Sequence, residues 1–597
     1  EHKEIFQYDK VHSLRDYKSY DSGDTFKPAF QYPSSLDSKR LKINYAEEGG
    51  KEKDGLIELR RGAADLSLGE SNYAQVRIMV DGTHYLKGMA VYSDDLPAGV
   101  DVRFNTNKSV GTPMTKVLKP IKDDPSNPFG ALVKERGGQS YYTDKDGKEH
   151  LSLINKTREE ADWTDWSNRT PSQFLSKQSV DLARKQLNLA KADKGDEYAE
   201  ISALENPTVK KRLLQSFADD CDTAAVHLYA AALPRQQYHV ILPVPNMKDN
   251  EIFAPNYANG ETVALIRYPH GGTFEIPILK VNNRQPDAKK MIGVTSSDAV
   301  GINAKVAERL SGADFDGDTV MVIPCNSDRS RVRITSTHQL DGLKGFDAKN
   351  EYAERPGMTY MKYKRADGTE VDNTQLQMGM ISNLITDMTL RGATEDELAS
   401  AVRHSMVVID AAKHKLDYKQ SEIDNNIAYL KKKYQGSYDE NGRYHEGAAT
   451  LISRAKSQQS VTKRQGSPKI DPKTGNLIWK DVDEPVYVNK YGQTVRRTQK
   501  STRMAETDDA RTLISPGDTL MEHLYADYAN TMKDYARQAR LQIINTKDIP
   551  YDPQANLKYK TEVQSLDTKL KTALLNAPRE RQAQTHSLAV KRIAWRW

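Results

Sequence analysis

Between Gly312 and Asp318 the chain reads Gly-Ala-Asp-Phe-Asp-Gly-Asp, which sets Asp314, Asp316 and Asp318 at alternate positions around one glycine. Gly317 permits a sharp turn that a residue with a side chain would resist, so the three carboxylates can converge on one small space. Like charges a few ångströms apart raise one another's pKa values, and a hard divalent cation with oxygen ligands relieves that crowding. The loop also lies between an apolar, helix-like approach, Val300 to Leu310, and a strongly apolar strand, Val320 to Ile323. A solvated acidic turn on a surface does not have such flanks. A calcium loop of the EF-hand type fits no better, because it needs Gly at its sixth position and Glu at its twelfth. Counted from Asp314, Gly317 is fourth and Cys325 is twelfth.

The surroundings of this loop read as β structure. From about Tyr238 to Pro324 short apolar runs recur, among them Val240–Val244, Val263–Arg267 and Ile276–Leu279, and the acidic loop precedes the last of them. A second β-rich block runs from Val76 to about Val133, with runs such as Val76–Val80 and Lys87–Tyr92 broken by Asp-Gly, Pro-Ala-Gly and Gly-Thr-Pro. Between the two, from about Asp165 to Asp222, leucines recur at helical spacing, and beyond Gln375 four further segments show the same periodicity.

The loop and its flanks resemble the metal-binding motif of the β-prime subunit of cellular RNA polymerases, and the variant of it in eukaryotic RNA-dependent polymerases of gene silencing. Arg267-Tyr268-Pro269-His270 resembles the Arg-x-Pro segment of that barrel, Ala299–Asn303 a following strand, and Thr319–Pro324 the strand that closes it. The chain is therefore identified with the two-barrel RNA polymerase superfamily, and most closely with its compact, single-chain, phage-type members.

That resemblance implies an α+β fold of two double-psi β-barrels joined by a helical connector and followed by a mainly helical C-terminal region. It further implies that Asp314, Asp316 and Asp318 hold a catalytic Mg²⁺, that a second ion arrives with the nucleoside triphosphate, and that Arg267 contacts substrate sugar or phosphate. The other barrel should supply lysines. Tyr85–Val91 and Phe104–Lys108 resemble the lysine-bearing segments, which makes Lys87 and Lys108 the choices and Lys116, Lys119 and Lys122 the reserves. Lys413, at the end of a segment resembling helices of the RNA-reading branch, is expected to face template or product. Pro171–Gln178 is reminiscent of inter-barrel segments, without an assignable role.

The expected organisation is a polar lead-in over 1–75, a lysine-bearing barrel over 76–164, a helical connector over 165–237 and an aspartate-bearing barrel over 238–330. Helices over 331–434, a basic loop or hairpin region over 435–505, and C-terminal helices with a basic tail over 506–597 complete it. At 597 residues the chain is long enough for several domains. A hydrophobic fraction of 37%, a charged fraction of 28% and a mean hydropathy of −0.73 argue against a membrane protein. The net charge of +5 is too small to point to nucleic acid by itself, although Lys431–Lys433, Arg496-Arg497 and the tail 591–597 are basic clusters. Two cysteines, Cys221 and Cys325, suit a reducing cytoplasm, in a host cell if the chain is phage-encoded, or a virion. A first residue that is Glu1 rather than Met suggests a trimmed or partial chain.

The function expected is template-directed RNA synthesis from nucleoside triphosphates, with DNA as the favoured template and RNA product, alone or with additional polymerase or virion subunits. The alternatives are an RNA-directed polymerase, a replicative DNA polymerase on related barrels, and a non-catalytic nucleic-acid-binding virion relative.

Overall fold

The computed structural model describes residues 33–573 apart from 125–126, 131–140, 145, 164–168, 311, 439–441, 485 and 490, together with residue 576 and four two-residue strands before residue 33. The basic tail 591–597 lies outside the described residues. The fold is α+β, with two curled, barrel-like sheets and a mainly helical C-terminal region, as the resemblance implies.

The first sheet comprises β1 (Ser35–Leu36), β2 (Leu41–Asn44), β3 (Leu56–Arg60), β4 (Tyr73–Val80), β5 (His84–Ser93), β6 (Val102–Asn105) and β7 (Asn155–Glu159), in the spatial order β7-β4-β5-β3-β6-β2, with the two-residue strand Lys119–Pro120 paired to the start of β5. β1 pairs with the end of β4, while β2, a few residues on, pairs with β6 at the far edge. One chain segment thus touches both sides, and the sheet curls back on itself. Alternation along β4 and β5 sends Ala74, Val76, Ile78, Val80, Leu86 and Ala90 into its core. The intervening positions Gln75 and Arg77, with Lys87 directly opposite Arg77, face away from that core.

This sheet begins at Ser35, well inside the span read as a polar lead-in. Leu36, Ile57, Leu59, Leu66 and Leu68 are fully buried in its core, so the 33–75 segment is structural. β1 and β2 are too short, and too interrupted by turns, to show a period of two.

Two helices follow, α1 (Val180–Ser202) and α2 (Pro207–His227). α1 is capped by Ser179, whose side chain accepts from Leu182 N, and α2 opens with Asn206 as cap and Pro207 at its first position. Both pack against α5 (Leu520–Asn545), burying Leu187, Ala225, Phe217, Tyr525 and Met532 in shared cores. The connector and the C-terminal helix are therefore one bundle, although roughly 300 residues separate them in sequence, as the contact between Tyr528 and the carbonyl of Tyr229 shows.

The second sheet comprises β8 (Gln237–Pro243), β9 (Glu251–Ile252), β10 (Thr262–Ile266), β11 (Ile278–Val281), β12 (Ala299–Ile302) and β13 (Thr319–Pro324), in the order β9-β11-β10-β13-β8-β12. Phe253 and Gly301 exchange two backbone hydrogen bonds of 2.9 Å, joining the β9 end to β12 and closing the ring. Its interior is Ile241, Val263, Leu265, Leu279, Val300, Ile302, Val320 and Val322. Against its rim pack α3 (Thr374–Leu390) and α4 (Glu395–His414), which bury Leu384, Met388 and Val402 around Phe274.

Within the basic region 435–505, residues 458–502 form a ribbon arm. Gln458–Thr462 pairs with Thr498–Thr502 as a stem, from which the hairpins Arg464–Ile470 with Leu477–Asp481 and Val486–Val488 with Thr494–Arg496 project. Among the described residues no helix is long and apolar enough to cross a membrane.

Candidate active site at the junction of the two sheets

The acidic loop is built by one buried ring. Phe315, 2% exposed, enters the core of the second sheet, so the residues on either side of it, Asp314 and Asp316, are held at the surface of that core. The carbonyl of Asp318 accepts from Ile241 N of β8 at 3.0 Å, tying the loop's end to the strand beside β13. Inside the loop Asp314 N donates to Asp318 Oδ2 at 3.1 Å and Asp316 N donates to Asp314 Oδ1 at 3.2 Å. One carboxylate oxygen from each aspartate lies within 4.8 Å of the others.

The first sheet meets this loop directly. Phe315 N donates to the Asp54 carbonyl at 3.0 Å, and Gln75 Nε2 donates to the Asp316 carbonyl at 3.0 Å. Lys87 Nζ lies 2.5 Å from Asp316 Oδ2. Two glycines make the approach possible. Gly55 has φ +91°, and a Cβ there would lie 2.9 Å from the backbone nitrogen and Cβ of Asp316. Gly317 has φ +123°, and a Cβ on it would collide with the Gln75 side chain.

The charges then sort themselves. Asp316 is half-buried, which by itself would raise its pKa, but the Lys87 ammonium holds its carboxyl below the usual carboxylate range. Asp318 is paired with Arg267 at 2.9 Å. Burial, then the charges of Asp316 and Asp318, push the Asp314 carboxyl up. Among the described residues Asp314 forms no ion pair, so the cost of crowding three carboxyls falls on it. Three oxygen donors, crowded, partly desolvated and short of positive charge, suit a hard divalent ion such as Mg²⁺. Asp314, Asp316 and Asp318 are the residues that could hold it.

The remaining residues singled out from sequence fall into two groups. Lys413 is brought into the site's field, since its charge and that of Lys87 act on Lys119, whose pKa is lowered chiefly by burial. Lys108 acts by its charge on Asp54, on the turn that touches the acidic loop, and on His414, and it forms no ion pair among the described residues. Of the reserve lysines, Lys119 is the one whose charge acts on Asp316. β-strand alternation explains the choice, because Lys119 pairs alongside Tyr85 at the edge of β5, near Lys87, whereas Lys108 follows the end of β6.

Three further residues belong to the site, and of these Lys177 alone carries a sequence hint. Asp54, its carboxyl raised by burial, sits on the turn that touches the acidic loop. Gln75 is, with Arg77, one of two strongly polar residues in β4. Lys177, in the Pro171–Gln178 segment, is buried and donates to the carbonyls of His270 and Gly271 at 3.4 and 3.3 Å. It fixes the turn that follows Arg267, and burial pushes its ammonium down to about 8. A lysine among Phe174, Leu175 and Ser176 was the available hint.

No protein-family model matches the sequence, and no curated protein matches it. Among solved structures, the RNA dependent RNA polymerase QDE-1 from Thielavia terrestris is similar to this chain with 11% sequence identity and a TM-score of 0.41. The match covers 93% of this chain and 62% of that one.

Proposed function

We propose that this chain is a nucleotidyltransferase that makes RNA on a nucleic-acid template, with one active site shared by two barrels. The observation that supports this reading is the Lys87–Asp316 contact, which brings a cation of the first sheet to a carboxylate of the second. Acidic and basic halves of a phosphoryl-transfer site need that juxtaposition: carboxylates for metal, cations for the triphosphate.

In this reading Asp314, Asp316 and Asp318 hold Mg²⁺. When bound, the ion lowers the pKa of an attacking 3′ hydroxyl and screens phosphate charge. Lys87, released from Asp316, and Lys119 neutralise the triphosphate as its α-phosphorus takes the new oxygen and pyrophosphate departs. Arg267, held by Asp318 and by the turn that Lys177 braces, presents a planar donor to sugar or phosphate. Gln75 and Gly55 keep the loop in place, so that little rearrangement accompanies the reaction.

The finer question is the template. The aspartate barrel resembles the DNA-reading branch, which is the reading made from sequence. The helices α3 and α4 resemble the RNA-reading branch, and the matched solved structure is named an RNA-dependent enzyme. An RNA template is therefore the second reading. The proposal carries with it a cytoplasmic or virion setting and nucleoside triphosphates as substrates.

The test supplies Mg²⁺ and labelled ribonucleotides with single-stranded RNA or single-stranded DNA, comparing the parent with Asp316→Ala. Residues that merely orient metal ligands cost about 10- to 100-fold when removed, so loss of a ligand is expected to cost at least about 100-fold. Incorporation on one template only assigns it. Equal incorporation by parent and variant contradicts the catalytic assignment.

A further inference from the structure

The chain's positive charge is not spread over it. Of 87 Lys and Arg and 82 Asp and Glu, residues 458–502 hold nine and four, which leaves 78 of each in the rest of the chain. The whole formal excess of +5 thus resides in the ribbon arm. The arm also lacks a core. None of its residues belongs to a hydrophobic cluster among the described residues, and two-stranded ribbons are marginal in water without a surface to pack on.

The base of the arm is anchored. Arg464 pairs with Glu506 at 2.5 Å and lies over the Trp479 ring at 5.2 Å, and Arg537 of α5 donates to Asn476 Oδ1 at 2.7 Å. The outer hairpin, Val486–Val488 with Thr494–Arg496, is solvent-exposed. Val486, Tyr487 and Val488 are all exposed, so both faces of the strand meet solvent, and Tyr491 at the turn is 73% exposed. Arg496 ends the opposite strand, Arg497 follows it, and Lys500 stands on the stem below. The nearest acids, Asp481, Asp483 and Glu484, precede the hairpin, and one of them, Asp483, pairs with Lys480 at 3.6 Å.

We propose that the outer hairpin of this arm binds a single strand of nucleic acid, its arginines and Lys500 on the phosphates and Tyr487 and Tyr491 under the bases. A net cationic ribbon with exposed rings matches a polyanion with exposed π faces, which is the chemistry of single strands rather than of a duplex or an acidic protein surface. The inference rests on the polymerase reading for the strand's origin, but not for the binding itself.

The experiment measures fluorescence anisotropy of a labelled oligouridylate with the full chain, without nucleotides or Mg²⁺. Tyr487→Ser with Tyr491→Ser is expected to weaken binding at least about fivefold per ring, and the Phe replacements are expected to restore it. Arg496→Gln with Arg497→Gln is expected to weaken it and to make the slope of log K against log salt shallower by about 0.7 per cation removed. Unchanged binding in both pairs overturns the proposal, as does absence of binding by the parent. So does duplex RNA bound as tightly as the single strand, or a failure of Phe to restore what Ser removes. The measurement needs neither nucleotides nor Mg²⁺, so an inactive chain still tests the arm, and a failed arm leaves the catalytic reading to its own assay.

Discussion

At Gly55 the two sheets come as close as backbone allows. Ala there would place a methyl against Asp316 at a positive φ, so Gly55→Ala is expected to cost more than about 1 kcal/mol in urea denaturation and to lower nucleotide incorporation. Gly312→Ala is the contrast. It too has positive φ, 66°, but nothing lies within 4 Å of its would-be Cβ, so it should lose stability with a smaller effect on incorporation. Equal effects on incorporation would mean that the Gly55 contact does not position Asp316. The acidic triad was legible in sequence because its spacing and its single glycine are local. Lys87 was legible through the pattern around it. Asp54, Gln75 and Lys177 were not, because each acquires its role from an element distant in the chain.

Between the sheets a second contact has a pH signature. Asp298, beside β12, is buried and accepts from Tyr73 of β4, which also meets Ser296 at 2.7 Å, and from Trp163 N at 2.9 Å. Burial pushes its carboxyl from the ordinary 3.8 up to about 7. A raised carboxylate pKa means that the fold favours the neutral form. Its contribution to stability is therefore present at low pH and is lost as pH rises through about 7. Relative to Asp298→Asn, the parent is expected to lose up to about 1.4 kcal/mol per pH unit between pH 5 and 7 and to level off above. Urea denaturation across that range checks it, and a parent-to-variant gap that does not change with pH contradicts it. At this scale the long helices were legible from their periodicity, whereas β1 and β2 were not. Two- and four-residue strands show no alternation, and their place in the first sheet follows from partners forty and sixty residues away.

For the whole molecule, sequence indicated two β-rich blocks and a helical connector, and the structure adds what joins them. The bundle of α1, α2 and α5 and the sheet-to-sheet contacts at Asp54, Gln75 and Lys87 are long-range, so no local pattern announces them. The charge partition that isolates the ribbon arm was present in the sequence, but it becomes a feature only once 458–502 is known to stand apart from every described core. The central claim is that the two sheets make one metal-dependent site, and Mn²⁺ affinity, measured by electron paramagnetic resonance, tests it across the junction. Lys87 competes with a divalent ion for Asp316. Lys87→Gln, on the first sheet, is therefore predicted to tighten Mn²⁺ binding about threefold to tenfold, a partly screened charge pair being worth of order 1 kcal/mol. Asp316→Asn is predicted to weaken it at least about 100-fold. Mn²⁺ affinity that ignores Lys87→Gln while responding to Asp316→Asn would leave the loop a metal site and contradict the shared one.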